Sequence, residues 1–168
     1  MVNWGLDGIE YEADPKHRNI LLEKFGFKEG ETRNFVCNGD KERQVESGWQ
    51  AEEVGGLEAA EFRANAARLN FLSLDCPDLQ FVSKDASRDM ATPKNGSWGG
   101  LEKIVRYLVG RKRVIWFYEW QDEVSEVEVF GDSDWGGRVG SRKSTSGGVS
   151  WWVNIVLKLG VRPKGHWR

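Results

Sequence analysis

The sequence lacks the features that would direct a protein out of the cell or into a membrane. It has only two cysteines, Cys37 and Cys76, and their spacing indicates reduced thiols instead of a disulfide framework or a zinc site. The first residues are polar and acidic, which is not typical of a secretory signal, and no apolar run approaches the roughly 20 residues of a membrane span. We therefore expect an intracellular protein, cytoplasmic or nuclear, without a membrane partner.

Acidic residues are missing from the last part of the chain. From Trp135 to the end there are seven Lys and Arg residues and no Asp or Glu, although the whole chain has a net charge of −2. Three tryptophans, Trp151, Trp152 and Trp167, lie among these cations. Cations and aromatic rings together suit phosphate contacts and base stacking. A solvated, charged hairpin gives the same pattern, so both interpretations stay open on charge alone.

A polar connection joins two apolar segments in this cationic region. Residues 126–130 alternate polar with apolar side chains, which predicts a strand, and Asp132 and Asp134 follow where that strand ends. We interpret Asp134 as a turn or capping residue, because Asp bonds readily to nearby backbone. Cationic and hydroxyl side chains follow these acids and precede a second apolar run. The two apolar segments and their polar connection together predict a hairpin that is suited to metal and phosphate chemistry. The polar side chains after the acids are Arg138, Arg142, Lys143, Ser144 and Thr145.

These elements resemble the start of the ribonuclease H domain in copia-type retrotransposon Pol polyproteins. In that family an apolar strand ends in Ser-Asp-Ala-Asp-Trp-Ala-Gly, and Arg-Lys-Ser-Thr-Ser-Gly-Gly follows. Here residues 131–137 read GDSDWGG and residues 142–148 read RKSTSGG. The resemblance extends upstream, because 62–110 is similar to the segment that joins reverse transcriptase to ribonuclease H, and 8–27 is similar to the end of the polymerase region. The upstream match is carried by 76–81 (CPDLQF) and by Trp98, Leu101, Arg106, Tyr107, Leu108 and Gly110.

The resemblance implies specific roles for several residues. Asp132 matches the family's first metal-ligating acid and would be a remnant catalytic ligand for Mg²⁺. Contacts with an RNA/DNA hybrid or single-stranded nucleic acid would come from Arg138, Arg142, Lys143, Ser144 and Thr145. However, the adjacent aspartate pair of the polymerase occurs nowhere in the chain, and no acid follows Asp134. Since Mg²⁺ catalysis needs several oxygen ligands, we expect a reverse transcriptase/ribonuclease H fragment that is catalytically inactive alone, with an incomplete Mg²⁺ site.

The predicted fold is α+β and has four parts. Residues 1–29 are a strand-helix remnant of the polymerase region, 30–56 a linker, 57–110 a three-helix connecting unit, and 111–168 a partial ribonuclease H-like sheet with a basic tail. We predict a helix with Asp14 as its N-cap, Pro15 as its first residue and its end at Gly26. We predict further helices over 58–74, 77–90 and 98–108, with Trp98 anchoring the last. Strands are predicted over 9–12, 113–118, 126–130, 148–153 and 155–159, the last four forming one small antiparallel sheet.

A different function class stays open beside nucleic-acid binding. The predicted final sheet has an apolar face made of Trp151, Val153, Ile155 and Leu157, and nothing later in the sequence would cover it. Large uncovered apolar faces mark partner surfaces or aggregation sites. The alternative is therefore a non-catalytic interaction domain that binds a partner protein, or another copy of itself, through this aromatic sheet face. The other tryptophans are expected to be core anchors, and they include Trp4, Trp49, Trp116 and Trp120.

Overall fold

The computed structural model describes residues 1–28, 31–32, 52–122, 126–134, 144–152 and 155–163. They form four α-helices and two three-stranded antiparallel sheets, so the predicted α+β class is confirmed. The chain divides into two compact units, a helical unit of Asp14–Val114 and a sheet unit of Met1–Ala13 with Ile115–Arg168. The four-part division at 30–56 stays a prediction, because most of that range lies outside the described residues.

The helical unit contains α1 (Lys16–Phe25), α2 (Gly56–Leu72), α3 (Gln80–Arg88) and α4 (Asn95–Gly110), with a 3₁₀ turn over Pro77–Leu79 before α3. The ends of α1 follow from local sequence. A carboxylate oxygen of Asp14 accepts the Lys16 backbone N–H at 2.8 Å. Gly26 ends the helix with a left-handed φ of 66°, a conformation that glycine adopts without a Cβ penalty. The predicted stop at Gly26 is therefore confirmed, whereas the predicted start is wrong by one residue, because Pro15 is the N-cap and Lys16 the first helical residue.

One apolar core joins all four helices. On α2, Phe62, Ala66 and Leu69 recur at helical spacing and are fully buried. The prediction grouped only the three later helices, but α1 contributes the fully buried Leu21 to the same core. Trp98 packs against this core, with its ring centroid 5.7 Å from that of Phe62, so its predicted anchoring role on α4 is confirmed.

The first sheet has the order β1 (Val2–Trp4), β2 (Gly8–Glu12) and β3 (Ile115–Glu119). The sequence analysis missed β1 and was wrong to group the 113–118 strand with the later strands, because β3 pairs with β2. The register puts Tyr11 opposite Trp116 and Ile9 opposite Tyr118. Aromatic and β-branched residues facing each other across strands stabilise such pairs. This long-range pairing therefore takes β3 away from the final sheet.

Two details of this sheet depend on particular residues. A Cβ at Gly8 would lie 2.3 Å from the Tyr118 carbonyl oxygen, so β2 and β3 can approach this closely only because residue 8 is glycine. Trp4 and Trp120 contact each other, with ring centroids 5.7 Å apart, but they are 73% and 48% exposed. The expectation that they are core anchors is therefore wrong. Trp49 lies outside the described residues.

The second sheet has the order β4 (Glu128–Ser133), β5 (Thr145–Trp152) and β6 (Ile155–Pro163). Trp152 pairs with Ile155, and Trp151 pairs with Val156. Directly paired residues share a face, so Trp151 and Ile155 lie on opposite faces and the predicted apolar face is wrong. The prediction assumed that every second side chain from residue 151 to residue 157 lies on one face, but this alternation does not continue from β5 into β6. Among the described residues, no helix is long and apolar enough to cross a membrane.

Candidate nucleic-acid interface

The β4–β5 hairpin brings the predicted acids and hydroxyls together at one end of the second sheet. Asp132 pairs with Gly147 and Ser133 with Ser146. Beyond the last pair, the Asp134 backbone N–H donates to the Thr145 carbonyl oxygen at 3.0 Å, and the Thr145 N–H donates to the Asp134 carboxylate. Asp134 therefore closes the end of the hairpin, which confirms its predicted capping role.

Asp132 is exposed at this end of the hairpin. One of its carboxylate oxygens accepts the Ser133 backbone N–H at 2.7 Å, which fixes the direction of the side chain. The residue paired with it, Gly147, has no side chain, and no atom of the described residues lies within 4 Å of the position that a Cβ would take there. No described side chain therefore covers the sheet surface at Gly147, beside Asp132.

The described donor set does not fit an Mg²⁺ site. Asp132 and Asp134 are the carboxylates at this end of the hairpin, and Asp134 already accepts the Thr145 N–H. No group of three or more His, Cys, Asp or Glu side chains that could hold a metal ion occurs in the described parts of the chain. Mg²⁺ prefers near-octahedral oxygen coordination, and one open carboxylate falls well short of that.

The predicted phosphate-binding residues are only partly described. Thr145 is the first residue of β5 and is 9% exposed, and Ser144 beside it is half-buried. Arg138, Arg142 and Lys143 lie outside the described residues. The hairpin thus brings Asp132, Ser144 and Thr145 to one end of the sheet, and the contribution of the three cations stays a prediction.

Sequence reasoning missed a polar cluster in the helical unit. The Tyr107 hydroxyl donates to the Asp78 carboxylate and accepts from Arg111 Nε at 2.8 Å, and that Nε lies 3.9 Å from the Asp78 carboxylate. The cluster joins the 3₁₀ turn to the end of α4. The spacing of four between Tyr107 and Arg111 on a helix was a usable signal, but the position of Asp78 depends on how the turn packs. We call these three side chains, Asp78, Tyr107 and Arg111, the polar tie, because their contacts link two elements of the helical unit.

Burial changes the ionisation of two groups next to this tie. Desolvation, and then the hydrogen bond to Asp78, raises the pKa of Tyr107. The pKa of the Cys76 thiol is raised from 9.0 to about 11, mainly by burial and then by the negative charges of Asp78 and Asp75. A buried thiol with a raised pKa is mostly protonated at neutral pH and is a poor nucleophile. Cys76 is therefore a packing residue.

Comparison with known proteins relates the chain to a transposon polyprotein. Over 103 residues, 61% of this chain, it is 28% identical to the retrovirus-related Pol polyprotein from transposon RE2 of Arabidopsis thaliana, of which it covers 6%. Over 90 residues, 52% of this chain, it is 29% identical to an uncharacterized mitochondrial protein of Arabidopsis thaliana, of which it covers 36%. The chain thus spans about a third or less of each of these relatives.

These similarities confirm the predicted resemblance to part of a retrotransposon Pol polyprotein. The finer assignment to the copia type stays a prediction. No family model matches the chain. No solved structure gives a significant match, so the resemblance of the second sheet to a ribonuclease H fold stays a prediction as well.

Proposed function

We propose that this chain, which is similar to part of a retrotransposon Pol polyprotein, is a non-catalytic segment that binds RNA/DNA hybrid or single-stranded nucleic acid. The observation that carries the proposal is the similarity over 61% of the chain to the Pol polyprotein of transposon RE2. In a copia-type polyprotein the corresponding activities would be RNA-directed DNA synthesis and hydrolysis of RNA in hybrids. For this chain we propose nucleic-acid binding alone, without DNA synthesis or RNA hydrolysis.

The proposed contacts lie at the end of the β4–β5 hairpin. Arg142 and Lys143 directly precede Ser144 in the sequence, and we propose that their cationic side chains act together with the residues at this end of β5. Cationic side chains bind phosphates and release counterions, which makes the affinity strongly dependent on salt. The sheet surface at Gly147, which no described side chain covers, leaves room for the nucleic-acid backbone. Arg138 would add a third cation to this group.

The incomplete set of acids supports binding without hydrolysis. Hydrolysis of a hybrid by this chemistry uses two metal ions held by several carboxylates, whereas the described hairpin end offers the Asp132 carboxylate and the already bonded Asp134. A single carboxylate beside bound phosphates repels them. Asp132→Asn is therefore expected to bind nucleic acid at least as tightly as the native chain.

The test is a labelled RNA/DNA hybrid incubated with the full chain in Mg²⁺ and, separately, in Mn²⁺, with binding followed by fluorescence anisotropy and cleavage by gel electrophoresis. We expect binding without cleavage. The double variant Arg142→Gln with Lys143→Gln should reduce the slope of log affinity against log salt by about 1.5, since each lost phosphate contact is worth roughly 0.7 to 0.9.

The matched control is the double variant Lys16→Gln with Lys28→Gln, which removes two exposed cations from the helical unit and should leave the salt slope unchanged. Equal effects of the two double variants would show that binding is only a response to total charge. Cleavage that disappears in Asp132→Asn would overturn the proposed inactivity. The absence of any binding at low salt would overturn the nucleic-acid function.

A protein-interaction function remains a second candidate because the second sheet exposes large apolar side chains. Val129 is 71% exposed, Phe130 56% and Trp152 43%. An interface built on these side chains would be insensitive to moderate salt, unlike a phosphate contact. In that case Asp132→Asn would leave binding of the partner protein unchanged, and Trp152→Ala would abolish it.

A further inference from the structure

β4 is an outer strand of the second sheet, and no described strand pairs with its outer side. The order β4-β5-β6 leaves β4 with one neighbour among the described strands. All six of its residues are exposed, including Val129 and Phe130. Natural edge strands are usually shielded by Pro, by charged side chains and above all Lys, by a bulge or by a covering segment. β4 contains neither Pro nor Lys, and its register with β5 is regular.

The hydrogen bond at the end of the hairpin shows which backbone groups face outward. The Asp134 N–H points to β5, because it donates to the Thr145 carbonyl oxygen. In an antiparallel pair the residues alternate between bonding the neighbour and pointing away from it. The backbone N–H and C=O groups of Val129 and Gly131 therefore point away from β5. The Ser133 N–H, which is next in this series, is occupied by the Asp132 carboxylate.

The exposed side chains of β4 carry a charge pattern along this edge. Glu128, Phe130 and Asp132 alternate onto one face, and Val129 lies on the other. The two carboxylates are four residues apart, so a strand lying along β4 would place two of its own residues, also four apart, opposite them. Opposite charges facing each other across strands stabilise the pair, and like charges weaken it. The complementary strand is therefore basic at those two positions and apolar opposite Val129.

We propose that the outer edge of β4 binds an extended basic segment of another protein as an added antiparallel strand. Backbone bonds to Val129 and Gly131 hold the segment, and Glu128 and Asp132 select Lys or Arg at two positions on one face of it. Strand addition of this kind takes its affinity from the backbone and its specificity from alternate side chains. The inference does not depend on nucleic-acid binding, because acidic side chains along this edge repel phosphates.

The test uses two labelled synthetic peptides of identical composition and the full chain. One peptide alternates Lys with Val, and the other groups all its Lys at one end and all its Val at the other. Fluorescence anisotropy should show the alternating peptide binding about tenfold more tightly, since only it can form both backbone bonds and two cross-strand charge pairs. Equal affinity for the two peptides would mean that only general charge attraction is measured, and would overturn the proposal.

Two variants test the two parts of the contact separately. Val129→Pro removes an outward N–H without removing a bond to β5, as proline is tolerated on edge strands in this position, and it should abolish binding of the alternating peptide. Glu128→Lys should weaken binding about fivefold. Its control, Glu102→Lys on the exposed side of α4, should have no effect. Far-UV circular dichroism checks that each variant is folded.

Other occupants would give distinct results. If analytical ultracentrifugation shows self-association that Val129→Pro removes, the edge binds a second copy of this chain and the proposal is wrong. If Glu128→Lys and Glu102→Lys weaken peptide binding equally, the acidic edge does not select the partner, and the proposal is also wrong. The Glu128→Lys result remains decisive even if Val129→Pro fails to fold.

Discussion

Replacing Tyr107 by phenylalanine tests the polar tie between the 3₁₀ turn and α4. The change removes a hydroxyl that donates to Asp78 and accepts from Arg111. A hydrogen bond to a charged partner contributes about 1.5 to 3 kcal/mol. The side chains of Asp78 and Arg111 are 42% and 58% exposed, so water can replace the lost partner and the lower end applies. We expect a loss of about 1.5 kcal/mol in the free energy of unfolding.

Urea denaturation followed by far-UV circular dichroism measures this loss, and a thermal scan should show a midpoint about 5 °C lower. The matched control is Tyr118→Phe on β3, whose hydroxyl has no hydrogen-bond partner among the described residues, and it should change stability by less than about 0.5 kcal/mol. A double-mutant cycle with Asp78→Asn should give strongly non-additive losses. Additive losses, or equal effects of the two Tyr→Phe changes, would refute the idea that this hydroxyl stabilises the unit.

Two further predictions follow from burial and from close backbone approach. In a Cys37→Ser background, the Cys76 thiol should react slowly with Ellman's reagent until urea is added, and rapid native labelling would contradict its burial. Burial raises the pKa of this thiol from its ordinary value of 9.0 to about 11. The neutral thiol therefore contributes its full stability below pH 9.0, and this contribution is lost as the pH rises through 11. Gly8→Ala should lower the free energy of unfolding by about 2 kcal/mol, as measured by thermal denaturation, because its Cβ meets the backbone of β3. Gly99→Ala, in open space on α4, should instead stabilise by up to about 1 kcal/mol, and a destabilising result there would contradict the description of α4.

Elements set by neighbouring residues could be predicted from the sequence. The end of α1 at Gly26 and the apolar spacing of Phe62, Ala66 and Leu69 depend on periods that a local window contains. The closure of the β4–β5 hairpin by Asp134 is equally local. These features needed no knowledge of tertiary structure.

Contacts between distant parts of the chain could not be predicted in this way. Alternation in residues 115–119 shows that a strand has two different faces, but not that its partner is β2, more than a hundred residues earlier. The same limit applies to Tyr107, because its hydroxyl bonds to Asp78 only after the 3₁₀ turn has packed against α4. At the candidate site, the hairpin predicted from the sequence places Asp132 at the same end of the sheet as Ser144 and Thr145, whereas the contribution of Arg138, Arg142 and Lys143 stays a prediction.

The pairing of Glu12 with Ile115 has a consequence for the order of folding. The chain leaves the first sheet after β2, forms the whole helical unit, and returns at the neighbouring position on β3. Closing so long a loop from an unfolded chain has an entropic cost that grows by about 0.6 kcal/mol with each doubling of loop length. Folding of the helical unit before the sheet shortens the flexible loop that must be closed between Glu12 and Ile115. The rate at which the first sheet forms thus depends on the packing of the helical core, although the strands of the sheet contribute no residue to that core. If β2 and β3 pair slowly, their edges stay exposed and can pair with other chains.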